Sequence, residues 1–410
     1  MLSGIGVMLL LIMLGACGDD NDNGTKPAPL KATDTVITLG TLTDKTGVAA
    51  VAMSVIDVAI KDMAAYYNEN DLIPGVKIKV IEYDDQYDPS RDIPGYEWLK
   101  QKGADFFWTH VPSAVPTLAA RVNRDEAVMF TATANMDSEE LEGGYVFSLG
   151  ITPQNEAYTL LDWIAKNDLD FPTDRPAKIG GAAWTDGYND RLLNAAKEYC
   201  EAHPDDYDWV RGCLTDFSFT WTTEIDQLKD CDYVFVPTPP HIFMRDYRKA
   251  GYTAKFLGTD TALAFVGMID RSGLWDDIDG ALFIRSSRWY NETGPIIDIV
   301  NQLLDEKHSK SDADKIKGEG CGYIAAKQTY LMLDIIREAV ESVGAENLDS
   351  QAIYDAATSW VYSNDDVDDF NSFTPIKRVS QNYYAVYEVK AAEKNIFRSH
   401  TDWLPQLTAP

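Results

Sequence analysis

The side chains best placed for chemistry stand just past apolar runs that read as strands. Ser113 follows D-F-F-W-T, a run that contains Trp108. Thr133 and Asn135 lie in T-A-T-A-N after A-V-M-F, Trp184 and Tyr188 bracket W-T-D-G-Y, and Asp260 ends F-L-G-T-D. Together they supply hydroxyls, an amide, a carboxylate and aromatic surfaces, next to N–H groups that a helix start leaves without intrahelical partners. Such a set suits the grip of a polar solute. Nucleophilic catalysis is the competing chemistry, with Ser113 as nucleophile and His110, His203, His241, His308 or His400 as base. G-x-S-x-G is absent, and P-S-A does not form the strained turn that presents such a serine. Ser113 is also a good helix cap by type, and a cap and a ligand grip use the same helix start.

Other chemistries find little support. There is no P-loop and no strand-linked G-x-G-x-x-G. D-D-Q-Y-D-P and N-D-D-V-D-D-F-N lack the glycine at the sixth place and the glutamate at the twelfth that a calcium loop needs. Cysteines and histidines are too scattered for a zinc site, so neither metal nor cofactor is expected. With 65 acidic against 36 basic residues the net charge is −29, a field that repels phosphate backbones and excludes nucleic acid as a natural partner. Apart from Cys17 the cysteines are Cys200, Cys213, Cys231 and Cys321, which allow three full pairings. Cys200 ends a helical stretch and Cys213 lies in the strand after it. That short loop is the favoured bridge, with Cys231 and Cys321 free.

The elements that must position these residues alternate along the chain. T-V-I-T-L-G-T-L reads as a strand, the stretch after it carries apolar residues at helical spacing, and V-K-I-K-V-I-E-Y is again a strand. A helix near 96–102, the strand D-F-F-W-T, a helix after Ser113, and strands A-V-M-F-T and Y-V-F-S-L complete one unit. The rhythm restarts beyond residue 150 with a helix, A-K-I-G-G-A-A-W, a helix, C-D-Y-V-F-V, a helix and A-K-F-L-G. A long helix over 321–343, a shorter one over 351–359 and the strand Y-Y-A-V-Y-E-V follow. Alternation of this kind predicts α/β lobes with parallel sheets covered by helices, and 410 residues at 45% hydrophobic composition suffice for two. In open parallel sheets ligands gather beyond the carboxyl ends of strands, where the candidate residues stand.

The amino terminus is a different text. Met1 to Ala16 carries no charge and includes V-M-L-L-L-I-M-L, too short for a comfortable permanent span. L-G-A-C then resembles a bacterial lipobox in which Cys17 is lipidated, although the first basic residue is Lys26 rather than one near the start. Residues 18–34 read as a polar tether.

In order and spacing, these pieces resemble the type I periplasmic solute-binding proteins of ABC importers, in the leucine/isoleucine/valine-binding group. The carriers are L-G-T-L-T-D-K-T-G, I-E-Y-D-D-Q-Y-D-P, the Ser113 loop, F-T-A-T-A-N, A-A-W-T-D-G-Y, Y-R-K-A-G-Y-T-A-K-F-L-G-T-D and the closing T-D-W, over about residues 35–405. The resemblance implies two doubly wound, Rossmann-like lobes joined by three crossing segments. The implied division is 1–17 signal and lipobox, 18–34 tether, 35–150 plus 281–378 lobe 1, and 151–280 plus 379–405 lobe 2. It places Ser113, Thr133 and Asn135 on the first lobe's side of a cleft, and Tyr188 and Asp260 on the second's. For an amino acid it implies that Ser113 and Thr133 take the α-carboxylate, Asp260 pairs with the ammonium and Tyr188 covers the ligand. Trp108 and Trp184 would add aromatic walls.

Departures leave the ligand class open among amino acids, amides and other carboxylates. No aromatic residue stands near Val51, V-P-T-P-P-H replaces a glycine-rich strand end, and Asn189 follows Tyr188. The implied protein performs no chemistry. It is anchored by its lipid on the periplasmic or cell-surface face and presents a small solute to a membrane permease. A sensory module of the same fold, or less favourably an α/β hydrolase, is the alternative.

Overall fold

A computed structural model of the chain describes residues 34–133, 135–364 and 367–410. Cys17, with the signal segment 1–17 and the tether up to residue 33, lies outside the described residues.

The first sheet is built from β1 (Thr35–Thr43), β2 (Val76–Asp84), β3 (Phe106–Thr109), β4 (Met129–Thr133) and β5 (Val146–Ile151), in the order β2-β1-β3-β4-β5. Every pairing in it is parallel. Parallel strands need crossovers, and these are α1 (Ala50–Glu69), α2 (Pro89–Gln101), α3 (Ala114–Arg124) and the short α4 (Ser138–Leu141). In α1 the residues Ala52, Met53, Ile56, Ile60, Met63 and Tyr67 are buried, the three- and four-residue spacing that turns one stripe of a helix to a core.

The second lobe starts with α5 (Pro153–Asn167) and continues β6 (Ala177–Trp184), α6 (Asn189–Ala202), β7 (Tyr207–Thr215), α7 (Thr222–Gln227), β8 (Tyr233–Phe235), α8 (His241–Lys249) and β9 (Lys255–Thr259). After α9 (Asp260–Leu263) and α10 (Val266–Arg271) comes β10 (Leu282–Arg285). The chain then returns to the first lobe as α11 (Pro295–Lys307), α12 (Lys310–Glu319), α13 (Ala326–Val343) and α14 (Ser350–Ala357), which pack around α1 and β5. A small ribbon of β11 (Val361–Tyr362) and β12 (Asn371–Ser372) precedes β13 (Tyr383–Lys390), β14 (Asn395–Arg398) and β15 (Leu404–Pro405). The second sheet runs β14-β13-β10-β9-β8-β6-β7, parallel from β10 to β7 and antiparallel where β13 joins. The mixed α/β architecture is the expected one. One boundary moves: β10 belongs to the second sheet, so the chain leaves that lobe after Arg285 rather than at 281.

The sheet also explains the cysteines. All four described thiols are free. Cys213 on β7 is paired in register with Ala182 on β6, and both face the apolar cluster under α7 and α8 that holds Trp221 and Phe243. Cys200, on α6, packs with Ile179 and Ala183 in the cluster on the opposite face. Adjacent residues of a strand point to opposite faces, so the sheet itself separates Cys200 from Cys213 and the expected bridge does not form.

Candidate functional site

A cavity lies between the lobes, and its walls come from the carboxyl ends of β4, β6, β9 and β10 and from the start of α1. Its space for the centres of water-sized molecules is about 160 Å³. One such centre needs roughly 10–15 Å³, so a small organic solute fits where several waters would. Ala52, Met53, Ile56, Phe265, Trp184 and Ile324 give it a largely apolar lining.

Two close approaches shape the walls. The β4–β5 register shifts between Thr131 and Thr133, and a Cβ on Gly150 would meet the Ala132 carbonyl at 1.6 Å. Only glycine there lets the strand bulge that turns Ala132 and Thr133 to the cavity. Across the cleft Gly187 adopts φ +87°, and a Cβ would lie 2.7 Å from Asn135 Nδ2. The two lobes therefore touch at Asn135 and Gly187.

The polar centre is Arg285, fully buried at the end of β10. Its Nη2 lies 3.1 Å from Asp260 Oδ1, and its Nε donates to the Ser287 carbonyl at 3.2 Å. The guanidinium sits over Trp289 at 4.6 Å and over Tyr387 at 5.4 Å. Behind this wall Lys327 Nζ donates to the Ser286 carbonyl at 2.6 Å. Burial in an apolar surrounding pushes the Lys327 amine down to about 7, while Asp260 pulls the other way. Burial likewise raises the Asp260 carboxyl, opposed by Arg285.

The sequence-expected residues divide. Thr133, Trp184, Tyr188 and Asp260 line the cavity, whereas Ser113, Asn135 and Trp108 do not. Thr133 Oγ1 is buried without a hydrogen-bond partner among the described residues. Asp260 is in the cleft, but the expected partner for a ligand ammonium is already paired with Arg285. Tyr188 is no lid: it is buried, its hydroxyl bonded to Glu156 and lying 3.4 Å from Thr259 Oγ1. Trp184 donates to the Ser218 carbonyl at 2.7 Å and packs between Phe217 and Phe219. Trp108 is core, fully buried, with Nε1 donating to His110 Nδ1 at 2.9 Å.

Ser113 makes no side-chain cap, and its Oγ is buried and unpartnered among the described residues. The chain enters α3 through a tight turn in which the Ala114 and Val115 N–H groups donate to the Val111 and Pro112 carbonyls, so the backbone does the capping. The start of α6 is likewise closed, since Asp186 accepts from the N–H groups of Tyr188 and Asn189 at 3.0 and 2.8 Å. Sequence reading missed Arg285, Ser286, Tyr87, Phe265 and Gln328. The strand-end rule that found Asp260 also applies to F-I-R-S-S after β10, and was the available signal.

The rims of the cleft are closed by contacts between lobes. Tyr87 and Phe217 meet edge to face at 6.4 Å, Arg191 reaches Glu140 at 3.0 Å, Arg271 reaches Glu319 at 2.6 Å, and Cys321 Sγ donates to the Asp260 carbonyl at 3.1 Å. Among the described residues no group of His, Cys, Asp and Glu is placed to hold a metal, and no helix is long and apolar enough to cross a membrane.

Solved structures share this architecture. A branched-chain amino acid ABC transporter protein from Thermus thermophilus with bound valine superposes with a TM-score of 0.75 at 16% identity, covering 92% of this chain and 97% of that one. A solute-binding protein from R. palustris in complex with 4-hydroxybenzoate gives 0.73 at 14% identity, over 91% and 98%. A fatty acid ABC transporter substrate-binding protein from Thermomonospora curvata gives 0.72 at 16% identity, over 95% and 96%. At such identities the likeness is one of fold. A comparison with curated protein sequences finds no match. The family model described as periplasmic binding protein matches residues 36–394. With two α/β lobes closing on a cavity at their strand ends, and with that match running across both, this chain belongs to the periplasmic binding protein family.

Proposed function

We propose that the chain is the extracytoplasmic solute receptor of an ABC importer, holding a small organic solute between its lobes and presenting it to a membrane permease, with Cys17 as its lipid anchor. The observation that carries this reading is the distribution of unpaired polar atoms around the cavity. Thr133 Oγ1 and His110 Nε2 come from the first lobe, Arg285 Nη1 and Ser286 Oγ from the second, and each is buried without a hydrogen-bond partner among the described residues. Leaving such atoms unpaired costs about 1–3 kcal/mol each, and a solute touching both lobes would satisfy them together. The solved relatives named with valine, 4-hydroxybenzoate and fatty acid agree with a small-solute role, and amino acids and other carboxylates fall within that range.

Binding of this kind favours the closed arrangement through its differential affinity for it. Thermal-shift and calorimetric screening against amino acids, carboxylates and amides tests the reading. A solute at a hundred times its Kd adds about 2.7 kcal/mol of stability, and small-angle scattering on the same mixture should report a more compact particle. Chemical turnover of the bound solute, or binding undisturbed by changes at the cavity wall, would count against it. Globomycin-sensitive processing and palmitate labelling that vanish in Cys17→Ala would test the anchor.

A further inference from the structure

The surroundings of Arg285 are defined on all but one side. Nε and Nη2 are engaged by the Ser287 carbonyl and Asp260, and the flat faces lie near Trp289 and Tyr387. Nη1 has no hydrogen-bond partner among the described residues, and the side chain is 1% exposed. The same cavity carries other unpaired donors. Ser286 and Thr133 bring hydroxyls. His110 brings an N–H, because Trp108 donates to its Nδ1 and the ring proton must then sit on Nε2. Burial keeps that imidazole neutral, its pKa pushed down to about 3.

Acceptors are fewer. Of the two carboxylates on the wall, Asp260 is ion-paired with Arg285 although its Oδ1 makes no hydrogen bond among the described residues, and Asp186 accepts from Tyr188, Asn189 and the Asn189 amide. Gln328 Oε1 is unpaired but belongs to a neutral amide. Lys327 adds a second cation behind Ser286. Donors therefore exceed acceptors, and the apolar share of the wall falls to Met53, Ile56, Phe265 and Ile324.

Resting on the receptor reading and deepening it, we infer that the solute is a small monocarboxylate with an apolar body and no ammonium group, its carboxylate accepting from Arg285 Nη1 and from the Ser286 and Thr133 hydroxyls. A charge-assisted bond to a buried guanidinium is among the strong ones. An α-ammonium would bring three donors, and a charge like that of Arg285, to a wall where Asp260 is already ion-paired and unpaired donors outnumber acceptors.

The test is a matched trio of nearly identical shape: 4-methylpentanoate, 4-methylpentanamide and leucine, titrated calorimetrically into the purified protein. A second trio of 3-phenylpropanoate, its amide and phenylalanine covers an aromatic body. The expected result is that a carboxylate binds about tenfold or more tightly than both its amide and its amino acid. Arg285→Lys should retain part of that preference. Arg285→Gln/Asp260→Asn, which removes both charges of the pair together and so guards against a variant that fails to fold, should abolish it. Equal or tighter binding of leucine, phenylalanine or either amide overturns the inference and leaves the receptor reading intact. So does a carboxylate preference that survives the double variant. Silence from all six compounds overturns the inference and weighs against the receptor reading as well.

Discussion

Arg285 Nη2 lies 3.1 Å from Asp260 Oδ1, so the carboxylate that the sequence offers to a ligand is held by the protein's own guanidinium. Breaking one partner of a buried pair leaves the other charge uncompensated. Asp260→Asn should therefore destabilise the chain by about 3–5 kcal/mol in urea denaturation. Arg285→Gln/Asp260→Asn should recover a large part of that loss. A single variant as stable as the parent would mean the pair is solvated in solution.

Tyr87 and Phe217, which meet across the rim, both hold left-handed backbone, at φ 56° and 51°. Non-glycine residues pay about 1–2 kcal/mol there. Phe217→Gly removes that penalty together with the ring's contacts to Tyr87 and Trp184, and stability and affinity read the two consequences separately. Thermal stability is expected to hold or rise while solute affinity falls and the ligand-free particle expands in small-angle scattering. Unchanged affinity would assign the Tyr87–Phe217 contact no part in closure.

Trp108 Nε1 supplies the hydrogen bond that fixes the His110 tautomer. Trp108→Phe preserves most of the packing but strips His110 Nδ1 of its donor. A loss of about 1–3 kcal/mol is expected from a buried group left unpaired. Nitrogen-15 NMR of the imidazole should show the proton redistributed between its two nitrogens, and a spectrum like the parent's would disprove the assignment.

Burial raises the carboxyls of Asp57 to about 6 and of Asp85 and Asp92 to about 7. A folded pKa above the unfolded value means that the folded chain holds the proton longer. The stability from these groups is complete below about pH 4 and is lost as pH rises through 6 to 7, at roughly 1.4 kcal/mol per pH unit for each group. His110 and Lys327, both depressed, act with the opposite sign, His110 losing its share as pH falls from 6.5 toward 3 and Lys327 as it falls from 10.5 toward 7. Asp85→Asn keeps an acceptor for the Tyr87 N–H group, which Asp85 Oδ1 takes at 2.9 Å. Denaturation midpoints at pH 5 and 8 should differ less in Asp85→Asn than in the parent, and an equal difference would clear Asp85 of the effect.

The sequence by itself determined the alternation of strands and helices, because the two-residue and 3.6-residue periods that bury one face are local properties, as in V-K-I-K-V-I-E-Y and in the stripe of α1. It also brought Thr133, Trp184, Tyr188 and Asp260 to one cavity, since strand ends of a parallel sheet are where free side chains collect. What each of them does there was decided by residues far along the chain. Asp260 meets Arg285, Tyr188 meets Glu156, and Trp108 turns into the core toward His110. The face of the sheet onto which a residue points is likewise tertiary, and it parted Cys200 from Cys213 despite their short separation. Pairing of buried polar groups depends on which partners the crossovers bring within about 3 Å, a distance that neither period nor spacing encodes.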